Sequence, residues 1–353
     1  MEALMSSTEP SDFPAVHDDV HEASAIKNTN VAELTSQTVR AEAKNQEKPA
    51  TKAGYVAIIG QPNVGKSTLL NAILHFKLSI VSPKPQTTQK RILGIANRPN
   101  SQIIFFDTPG VCEVSQPRSG AQHAAGRLLL NAMMRAVYQA MREADVQLFL
   151  SEPTSTPQPT DLEIINRMVD TAKPIVLAIN KIDTVPKDNL LPLIEAFHAQ
   201  HKVQEIVPIS ALRHDGIEQL LVVLEKYLPV HEPFYDTDLI TNHPERFLAA
   251  EIIREKIFLR YAEEIPYSAT VQVEEFIERP GHKDYIRAVI YVERPSQKGI
   301  LIGKGGQALK QVGKLAREEM EMSFGRPIYL DLFVTVKEKW RDREEELRRL
   351  GYL

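Results

Sequence analysis

The sequence predicts an α/β protein in which a P-loop domain with a mainly parallel sheet precedes a smaller α+β domain. Three observations indicate this fold class. Short apolar runs alternate with helical stretches from residue 55 to residue 228, as in parallel sheets covered by helices on both faces. A glycine-rich loop, GQPNVGKS, joins the first apolar run to the first helix. After residue 246 the predicted order changes to helix, strand, strand, helix, helix, strand.

Length and composition agree with two domains. The 353 residues are 43% hydrophobic and 25% charged, as is usual for globular chains with domains of about 100 to 200 residues. A single cysteine, Cys112, excludes an internal disulfide. No apolar run reaches the roughly 18 residues that a membrane-spanning helix needs. The net charge of −4 argues against a nucleic-acid partner unless positive charge is concentrated locally.

Four segments are expected along the chain. The first is polar and without apolar periodicity, so it cannot bury enough surface to offset the entropy of ordering. The segments are a disordered tail (1–52), the P-loop domain (53–229), a linker (230–245) and the second domain (246–353).

The first domain has five apolar runs typical of buried strands. RILGIAN (91–97) adds an antiparallel strand at the sheet edge, and helices are expected around 66–75, 125–143, 160–171, 188–200 and 215–228. The buried strands are YVAIIG (55–60), QIIFFD (102–107), VQLFLS (146–151), PIVLAIN (174–180) and EIVPIS (205–210).

The second domain begins with a helix over 246–261 that carries an apolar face. Two alternating strands follow, around 269–278 and 284–293, and a last strand over 328–336 alternates cleanly. The apolar face of the helix consists of Ala250, Ile253, Ile257, Phe258 and Tyr261.

The first chemical motif is GQPNVGKS, residues 60 to 67, which fits G-x-x-x-x-G-K-[ST] between a strand and a helix. Backbone N–H groups from Gly65 to Thr68 can surround a polyphosphate at the positive end of the helix. Lys66 would neutralise the β and γ phosphates, and Ser67 would bind Mg²⁺. The alternative is a chance glycine-rich turn. The predicted loop residues are Gly60, Asn63, Val64, Gly65, Lys66, Ser67 and Thr68.

DTPG, residues 107 to 110, stands at the end of a predicted strand. Asp107 can hold Mg²⁺ through water, and the Gly110 N–H can reach a γ phosphate. Taken alone, this tetrapeptide could be an ordinary exit from a strand into a turn. Because a P-loop precedes it, we assign it to the phosphate site.

NKID, residues 180 to 183, predicts which base is bound. Guanine presents N1–H and N2–H₂ side by side, and the carboxylate of Asp183 can accept from both, whereas adenine has no such pair. Asn180 and Lys181 would brace the base. In the SAL segment, Ser210, Ala211 and Leu212, the Ala211 N–H would reach the guanine carbonyl. A solvated strand exit is the alternative interpretation of NKID.

The order GQPNVGKS, QTTQKR, DTPG, NKID and SAL resembles that of a translation-factor-related GTPase, and QPNVGKST with KPQTTQKRILGI resembles the Era family of bacterial and organellar GTPases. The resemblance implies that Thr88, or its neighbour Thr87, closes over Mg²⁺ when the γ phosphate is present. An exposed turn is the alternative for either threonine. The implied catalytic residues are Lys66, Thr88, Asp107 and Gly110.

Val111 follows the DTPG glycine, where many GTPases have a glutamine that orients water. The Era family shares this hydrophobic residue, which implies slow intrinsic hydrolysis that a partner stimulates. Asn63 matches a P-loop asparagine that helps place K⁺ in related GTPases. Its alternative role is to shape the loop.

LIGKGGQAL, residues 301 to 309, contains G-x-x-G between two predicted helices, a pattern that clamps the backbone of single-stranded RNA. A dinucleotide fold would need more strands and helices than the 47 residues after Gly306 can form. Six basic and no acidic residues lie between positions 294 and 317, which favours a phosphate-binding face. The predicted RNA contacts are Lys298, Ile302, Gly303, Lys304, Gly305, Gly306, Lys310 and Lys314.

A GTPase domain followed by a type II KH domain is the Era arrangement. The resemblance implies binding of GTP and Mg²⁺, contact with the 3′ end of small-subunit ribosomal RNA during subunit assembly, a monomer, and a cytoplasmic location, or an organellar one if the source is eukaryotic. One alternative is a KH protein whose nucleotide domain has no useful turnover. Another is a peripheral switch at the inner face of the cell membrane, which no basic amphipathic helix supports.

Overall fold

The computed structural model describes residues 25–27, 51–112, 126–200 and 202–353. Most of the predicted tail (1–52) lies outside these residues. Within it, Ala25–Lys27 forms a short strand, β1, and Lys52 already belongs to the first strand of the main sheet.

The first domain contains a six-stranded sheet in the order β3-β4-β2-β5-β6-β7. All pairs are parallel except β3 with β4, so the predicted antiparallel edge strand is confirmed. Every residue of β4 and β5 is buried, because helices cover both faces of the sheet. The strands are β2 (Lys52–Gly60), β3 (Ile92–Arg98), β4 (Ser101–Asp107), β5 (Val146–Ser151), β6 (Ile175–Ile179) and β7 (Glu205–Pro208).

Helices of the first domain follow the strands as the alternating pattern predicts. Two apolar cores result, one on each face of the sheet. The helices are α1 (Lys66–Leu74), α2 (Arg127–Glu143), α3 (Pro159–Val169), α4 (Leu190–His198) and α5 (Ile217–Tyr227).

The predicted linker, 230–245, contains a strand that the sequence analysis missed. This strand, β8 (Leu239–Pro244), pairs antiparallel with β1. Side chains attach it to β3: Thr241 Oγ1 donates to the Leu93 carbonyl at 2.6 Å, and the Leu93 N–H donates to His243 Nε2 at 3.1 Å. A strand this short gives little apolar signal, since its pairing depends on partners far away in sequence.

The second domain has the predicted order of helix, two strands, two helices and strand. Its sheet has the order β11-β10-β9, with β10 antiparallel to β9 and parallel to β11. Helices pack on one face around an apolar core that includes Ile253, Ile257 and Val312. The elements are α6 (Glu245–Arg260), α7 (Ile265–Ser268), β9 (Thr270–Ile277), β10 (Asp284–Val292), α8 (Pro295–Ile302), α9 (Gln307–Phe324), β11 (Ile328–Val336) and α10 (Glu344–Arg349).

The two domains share an apolar core. Val289 and Tyr291 of β10 and Trp340 belong to the same apolar core as α2 of the first domain. Trp340 is fully buried, and its Nε1 donates to the Ser268 carbonyl at 2.9 Å. Asp342 accepts hydrogen bonds from the N–H groups of Gly126 and Leu128 at the start of α2, at 2.7 and 3.3 Å. The C-terminal segment therefore holds the second domain against the first.

His243 should make the stability depend on pH. Its Nε2 accepts the Leu93 N–H, which requires a neutral ring, and burial lowers the pKa of His243 to about 4. The unfolded chain takes up this proton near the ordinary pKa of 6.5, so the stabilising contribution is full above pH 6.5 and is lost as pH falls towards 4. Between pH 7 and 5, the free energy of unfolding measured in urea should fall by about 2 kcal/mol more in the parent than in His243→Gln.

The matched control is His282→Gln, because His282 is exposed in the turn between β9 and β10. Between pH 7 and 5, the free energy of unfolding of His282→Gln should fall by as much as that of the parent. Equal pH dependence in the parent and in His243→Gln would show that His243 is protonated without cost in the folded protein.

Candidate nucleotide and RNA sites

The glycine-rich loop lies between β2 and α1, as predicted. Gly65 has a φ of 99°, and a Cβ added there would lie 2.2 Å from Asn180 Nδ2, so the loop and the NKID segment are in direct contact. Lys66 is buried, and its Nζ donates to the carbonyls of Gly60 and Gln61 at 3.1 and 2.7 Å. Burial lowers the pKa of Lys66 to about 8. The ammonium thus lies across the loop that would surround the phosphates.

Three predicted metal ligands meet beside this loop. Ser67 Oγ donates to Asp107 Oδ2 at 2.8 Å and lies 2.9 Å from Thr88 Oγ1, which is 3.4 Å from the same carboxylate oxygen. Asp107 is fully buried, burial raises its pKa, and its Oδ1 has no hydrogen-bond partner. Thr88 is buried here, whereas Thr87 contributes its carbonyl to Arg254. Of the two threonines, Thr88 therefore has the hydroxyl at this cluster.

The cluster fits Mg²⁺ when phosphate completes the coordination. Mg²⁺ prefers hard oxygen ligands, usually one or two carboxylates with waters and substrate phosphates. Two hydroxyls and one carboxylate, that of Asp107 with its unpartnered Oδ1, meet this description. No group of three or more His, Cys, Asp or Glu side chains that could hold a metal by itself occurs in the part of the chain that the structure describes.

DTPG is fixed to the P-loop by its backbone. The Val111 N–H donates to the Gly60 carbonyl at 3.0 Å. A Cβ on Gly110 would lie 2.7 Å from the Pro62 Cα, so the two loops touch where Gly110 stands. Val111 packs against the apolar core, and its side chain has no group that could polarise water. Lys66, Thr88 and Gly110 line one cleft.

The predicted base-binding residues lie together at the ends of β6 and β7. Asn180 Nδ2 donates to the Val64 carbonyl at 2.7 Å, and Asn180 Oδ1 accepts the Ala211 N–H at 2.9 Å. Asp183 is exposed and accepts from Ser210 Oγ at 2.6 Å. The Ala211 N–H was expected to be directed towards the base, but here Asn180 engages it. Asn180 therefore connects the three nucleotide loops.

The remaining predicted nucleotide residues lie at the rim. Lys181 Nζ donates to the Asn63 carbonyl at 2.8 Å and pairs with Glu152, and Leu212 is 71% exposed. Asn63 has a φ of 65°, and its Nδ2 donates to the Pro83 carbonyl at 2.9 Å. In this structure Asn63 thus holds the P-loop to the loop that carries the threonines.

A buried support beneath the P-loop was missed by the sequence analysis. Gln61 Nε2 donates to Asp161 Oδ1 at 2.7 Å, and Ser151 Oγ donates to Asp161 Oδ2 at 2.5 Å. Burial raises the pKa of Asp161. No local motif marks Asp161, because its partner Gln61 is 100 positions away.

Gly65→Ala should weaken nucleotide binding. The left-handed φ and the approach of Asn180 Nδ2 leave no room for a methyl group, so the loop must shift. We expect GTP affinity to fall by about 30-fold, corresponding to about 2 kcal/mol of strain. Titration with a fluorescent GTP analogue measures this. Gly299→Ala in α8 is the control, because a Cβ there meets nothing within 4 Å. An affinity equal to that of the parent would contradict the prediction.

The G-x-x-G segment joins α8 to α9 as predicted. Gly303, Gly305 and Gly306 have φ values of 70°, 60° and 75°, and Lys304–Gly306 forms a 3₁₀ turn. Positive φ values favour glycine, because the left-handed region is less favourable for most residues that carry a Cβ. The turn leaves Lys304 exposed.

The other predicted RNA contacts differ in exposure. Lys310 and Lys314 are exposed, and Lys298 is half-buried. Ile302 packs partly against the core of the second domain, as expected for a core residue at the edge of a binding face. Glu318 lies 3.8 Å from Lys314, so acidic residues just beyond position 317 partly offset the basic face.

Together, the fold and the two sites define a P-loop GTPase joined to a KH domain. A model described as 50S ribosome-binding GTPase matches residues 55–181, and a KH domain model matches residues 264–341. GTPase Era from Aquifex aeolicus (strain VF5) is 45% identical over 309 residues, which cover 85% of this chain and 99% of that protein. GTPase Era from Geotalea uraniireducens (strain Rf4) is 44% identical over 301 residues, covering 85% and 98%.

Solved structures give the same result. A variant of Aquifex aeolicus Era bound to GDP and AlF₄⁻ superposes with a TM-score of 0.80 at 45% identity, covering 86% of this chain and 99% of the other. Era in complex with MgGDPNP and nucleotides 1506–1542 of 16S ribosomal RNA gives the same TM-score, identity and coverage. This chain belongs to the Era GTPase family. The predicted fold class and the resemblance to that family are confirmed.

Within the described ranges, 25–27, 51–112, 126–200 and 202–353, none of the helices has the length and apolar character needed to cross a membrane.

Proposed function

We propose that this protein is a GTP-hydrolysing switch that binds the 3′ end of small-subunit ribosomal RNA and acts in assembly of the small subunit and rRNA maturation. The observation that carries the proposal is the meeting of Ser67, Thr88 and Asp107 beside the P-loop, in a chain whose second domain presents an exposed G-x-x-G turn. One solved structure of Era contains MgGDPNP together with nucleotides 1506–1542 of 16S ribosomal RNA, which supports the same pairing of ligands here.

Each phosphate-site residue has a definite task in this proposal. Lys66 and the N–H groups from Gly65 to Thr68 hold the β and γ phosphates. Ser67, Thr88 and Asp107 hold Mg²⁺, which neutralises charge that develops on the phosphates when it is bound. The Gly110 N–H faces the γ phosphate. Val111 leaves the attacking water without a side-chain partner, so unstimulated hydrolysis is slow.

Guanine recognition rests on Asp183, whose exposed carboxylate accepts from N1–H and N2–H₂. Asn180 and Ala211 bring the loops together around the base, and Lys181 covers one face of it. Gly60, Val64 and Thr87 shape the pocket without touching the base. K⁺ binding near Asn63 is also part of the proposal, with the Asn63 amide oxygen as ligand while its Nδ2 donates to the Pro83 carbonyl.

In the second domain, Gly303 to Gly306 hold the RNA backbone, and Lys298, Lys304, Lys310 and Lys314 neutralise its phosphates. Ile302 supports the bases from the edge of the domain core. We infer that the protein acts as a monomer on assembling small subunits in the cytoplasm. Peripheral association with the inner face of the membrane is the alternative proposal, whereas the G-x-x-G turn and the exposed lysines near it favour RNA.

Single-turnover hydrolysis tests this function against a KH protein without useful turnover. The protein is loaded with radiolabelled GTP or ATP, with and without RNA corresponding to nucleotides 1506–1542 of 16S rRNA. We expect slow hydrolysis of GTP, at least tenfold stimulation by RNA and no hydrolysis of ATP. RNA binding without hydrolysis under either condition would favour the alternative.

A further inference from the structure

Arg254 is a buried cation on α6 of the KH domain whose guanidinium reaches into the GTPase domain. Only 2% of this residue is exposed. Its Nη2 donates to the Thr87 carbonyl at 2.6 Å, and its Nε and Nη2 donate to the carboxylate of Glu251 at 3.0 and 2.7 Å. The guanidinium also lies 5.4 Å from the centre of the Phe258 ring. The KH domain thus supplies a charged donor to the loop that carries Thr87 and Thr88.

The acceptor is immediately adjacent to the residue proposed to bind Mg²⁺. The Thr87 carbonyl belongs to the planar peptide unit that leads into Thr88, so fixing this oxygen restricts the orientation of Thr88. In the same structure, Thr88 Oγ1 is 2.9 Å from Ser67 Oγ and 3.4 Å from Asp107 Oδ2. The contact with Arg254 therefore exists in the conformation in which the threonine hydroxyl faces the metal cluster.

The burial of Arg254 makes this contact sensitive to the position of the loop. A buried guanidinium is costly unless its donors are satisfied, and Nη1 already has no hydrogen-bond partner. If the loop moved away, Nη2 would lose the Thr87 carbonyl while Glu251 still held the group in place. The contact between the two domains therefore favours the loop conformation in which the Thr88 hydroxyl lies at the metal cluster.

A second contact connects the same loop to the RNA clamp through α6. Lys84 Nζ donates to the carbonyls of Phe258 and Tyr261, at the negative C-terminal end of α6. Tyr261 in turn donates from its hydroxyl to the Leu301 carbonyl at 2.9 Å, two residues before Gly303. The nucleotide loop thus contacts α6 at Arg254 and at the C-terminal end of the helix. Tyr261, which follows α6, also contacts α8, the helix that precedes the clamp.

We propose that Arg254 is a positioning residue for Thr88, so that the KH domain completes the Mg²⁺–GTP site of the GTPase domain. This inference rests on the proposed function and specifies how the two sites are coupled. Because Thr88 binds the metal only when a γ phosphate is present, Arg254 stabilises the GTP complex and leaves the GDP complex unaffected. RNA held next to α8 stimulates hydrolysis through α6 and this same contact.

The test compares full-length parent, Arg254→Gln and Arg254→Lys for binding of MgGDPNP and MgGDP. We expect Arg254→Gln to bind MgGDPNP about tenfold more weakly, the effect of losing one hydrogen bond from a charged donor, and to bind MgGDP within twofold of the parent. Arg254→Lys should be intermediate, because one ammonium cannot bridge Glu251 and Thr87 as the guanidinium does. Stimulation of single-turnover hydrolysis by the 1506–1542 RNA should be lost in Arg254→Gln.

Arg260→Gln is the matched control, since Arg260 is on the same helix and exposed. If Arg254→Gln and Arg254→Lys weaken the binding of MgGDPNP and MgGDP equally, Arg254 has only a structural role. If both variants bind the two nucleotides like the parent, Arg254 has no role in nucleotide binding. Either result overturns the proposal. If Arg254→Gln does not fold, the ratio of MgGDPNP affinity to MgGDP affinity in Arg254→Lys decides between these outcomes. A parent that neither binds MgGDPNP nor responds to RNA would instead refute the proposed function itself.

Discussion

Asp183→Asn is expected to reduce GTP affinity by at least about a hundredfold, to roughly the level of ATP. The carboxylate of Asp183 is exposed where we propose that the base binds, and both of its oxygens can accept from guanine donors. Asparagine keeps one acceptor and places an N–H₂ donor against the guanine N2–H₂. Two charge-assisted hydrogen bonds are therefore weakened or lost, at a cost of about 3 to 5 kcal/mol.

A base with the complementary pattern should restore binding to this variant. Xanthine has a carbonyl where guanine has its amino group, so the asparagine N–H₂ can donate to it. We expect Asp183→Asn to prefer xanthosine triphosphate to GTP, whereas the parent prefers GTP. Ser210 Oγ, 2.6 Å from Asp183 Oδ1, can still donate to the remaining amide oxygen, so the pocket should keep its shape.

Calorimetry with GTP, ATP and xanthosine triphosphate measures these affinities. Asp188→Asn is the matched control, because Asp188 is also exposed and belongs to the next 3₁₀ turn, Lys187–Asn189. It should bind all three nucleotides like the parent. If Asp183→Asn binds GTP as tightly as the parent does, guanine must be recognised by other groups, and the assignment of NKID to the base would be wrong.

The nucleotide loops could be predicted from sequence because their chemistry is local. Gly65 needs a left-handed φ, Lys66 and Ser67 begin α1, and Asp107 ends a buried strand, so each position is determined by a short segment. Parallel strands then bring the ends of β2, β4 and β6 to one edge of the sheet. Topology, more than any single motif, made the meeting of Ser67 and Asp107 predictable.

Contacts between the domains were not predictable in this way. Arg254 and Thr87 are 167 positions apart, and nothing in the helical pattern of α6 marks one arginine as a donor to a distant carbonyl. The buried Trp340 was missed because it depends on a surface that exists only after both domains have formed, and the strand β8 was missed because its pairing depends on residues far away in sequence. Periodicity identifies which face is buried but leaves open what the face packs against.

Gly305→Asp should abolish specific RNA binding while leaving the fold intact. Gly305 is exposed, has a φ of 60° and has no atom within 4 Å of an added Cβ, so an aspartate fits without a clash in the unbound protein. Aspartate is also among the residues that tolerate the left-handed region. By contrast, a Cβ on Gly303 would lie 2.6 Å from the Ala308 Cβ, so substitution there would confuse loss of binding with loss of structure.

Two physical effects act together when RNA approaches the aspartate. The side chain occupies the space through which the sugar-phosphate backbone comes close to the turn, and its charge repels the phosphates that Lys304 attracts. We expect affinity for the 1506–1542 RNA to fall by at least about a hundredfold, corresponding to about 3 kcal/mol. Hydrolysis of GTP without RNA should be unchanged, and RNA should no longer stimulate it.

Gly281→Asp provides the control, because Gly281 also has a positive φ, 77°, and open space around it, but lies in the turn between β9 and β10. The two variants introduce the same charge into the same domain, so a difference in RNA affinity reports the position of the charge. Filter binding across a salt series should show that Gly305→Asp loses RNA affinity at every salt concentration and that Gly281→Asp does not. If both variants bind RNA equally well, the RNA does not pass over the G-x-x-G turn, and the basic residues of α9 must hold it by another route.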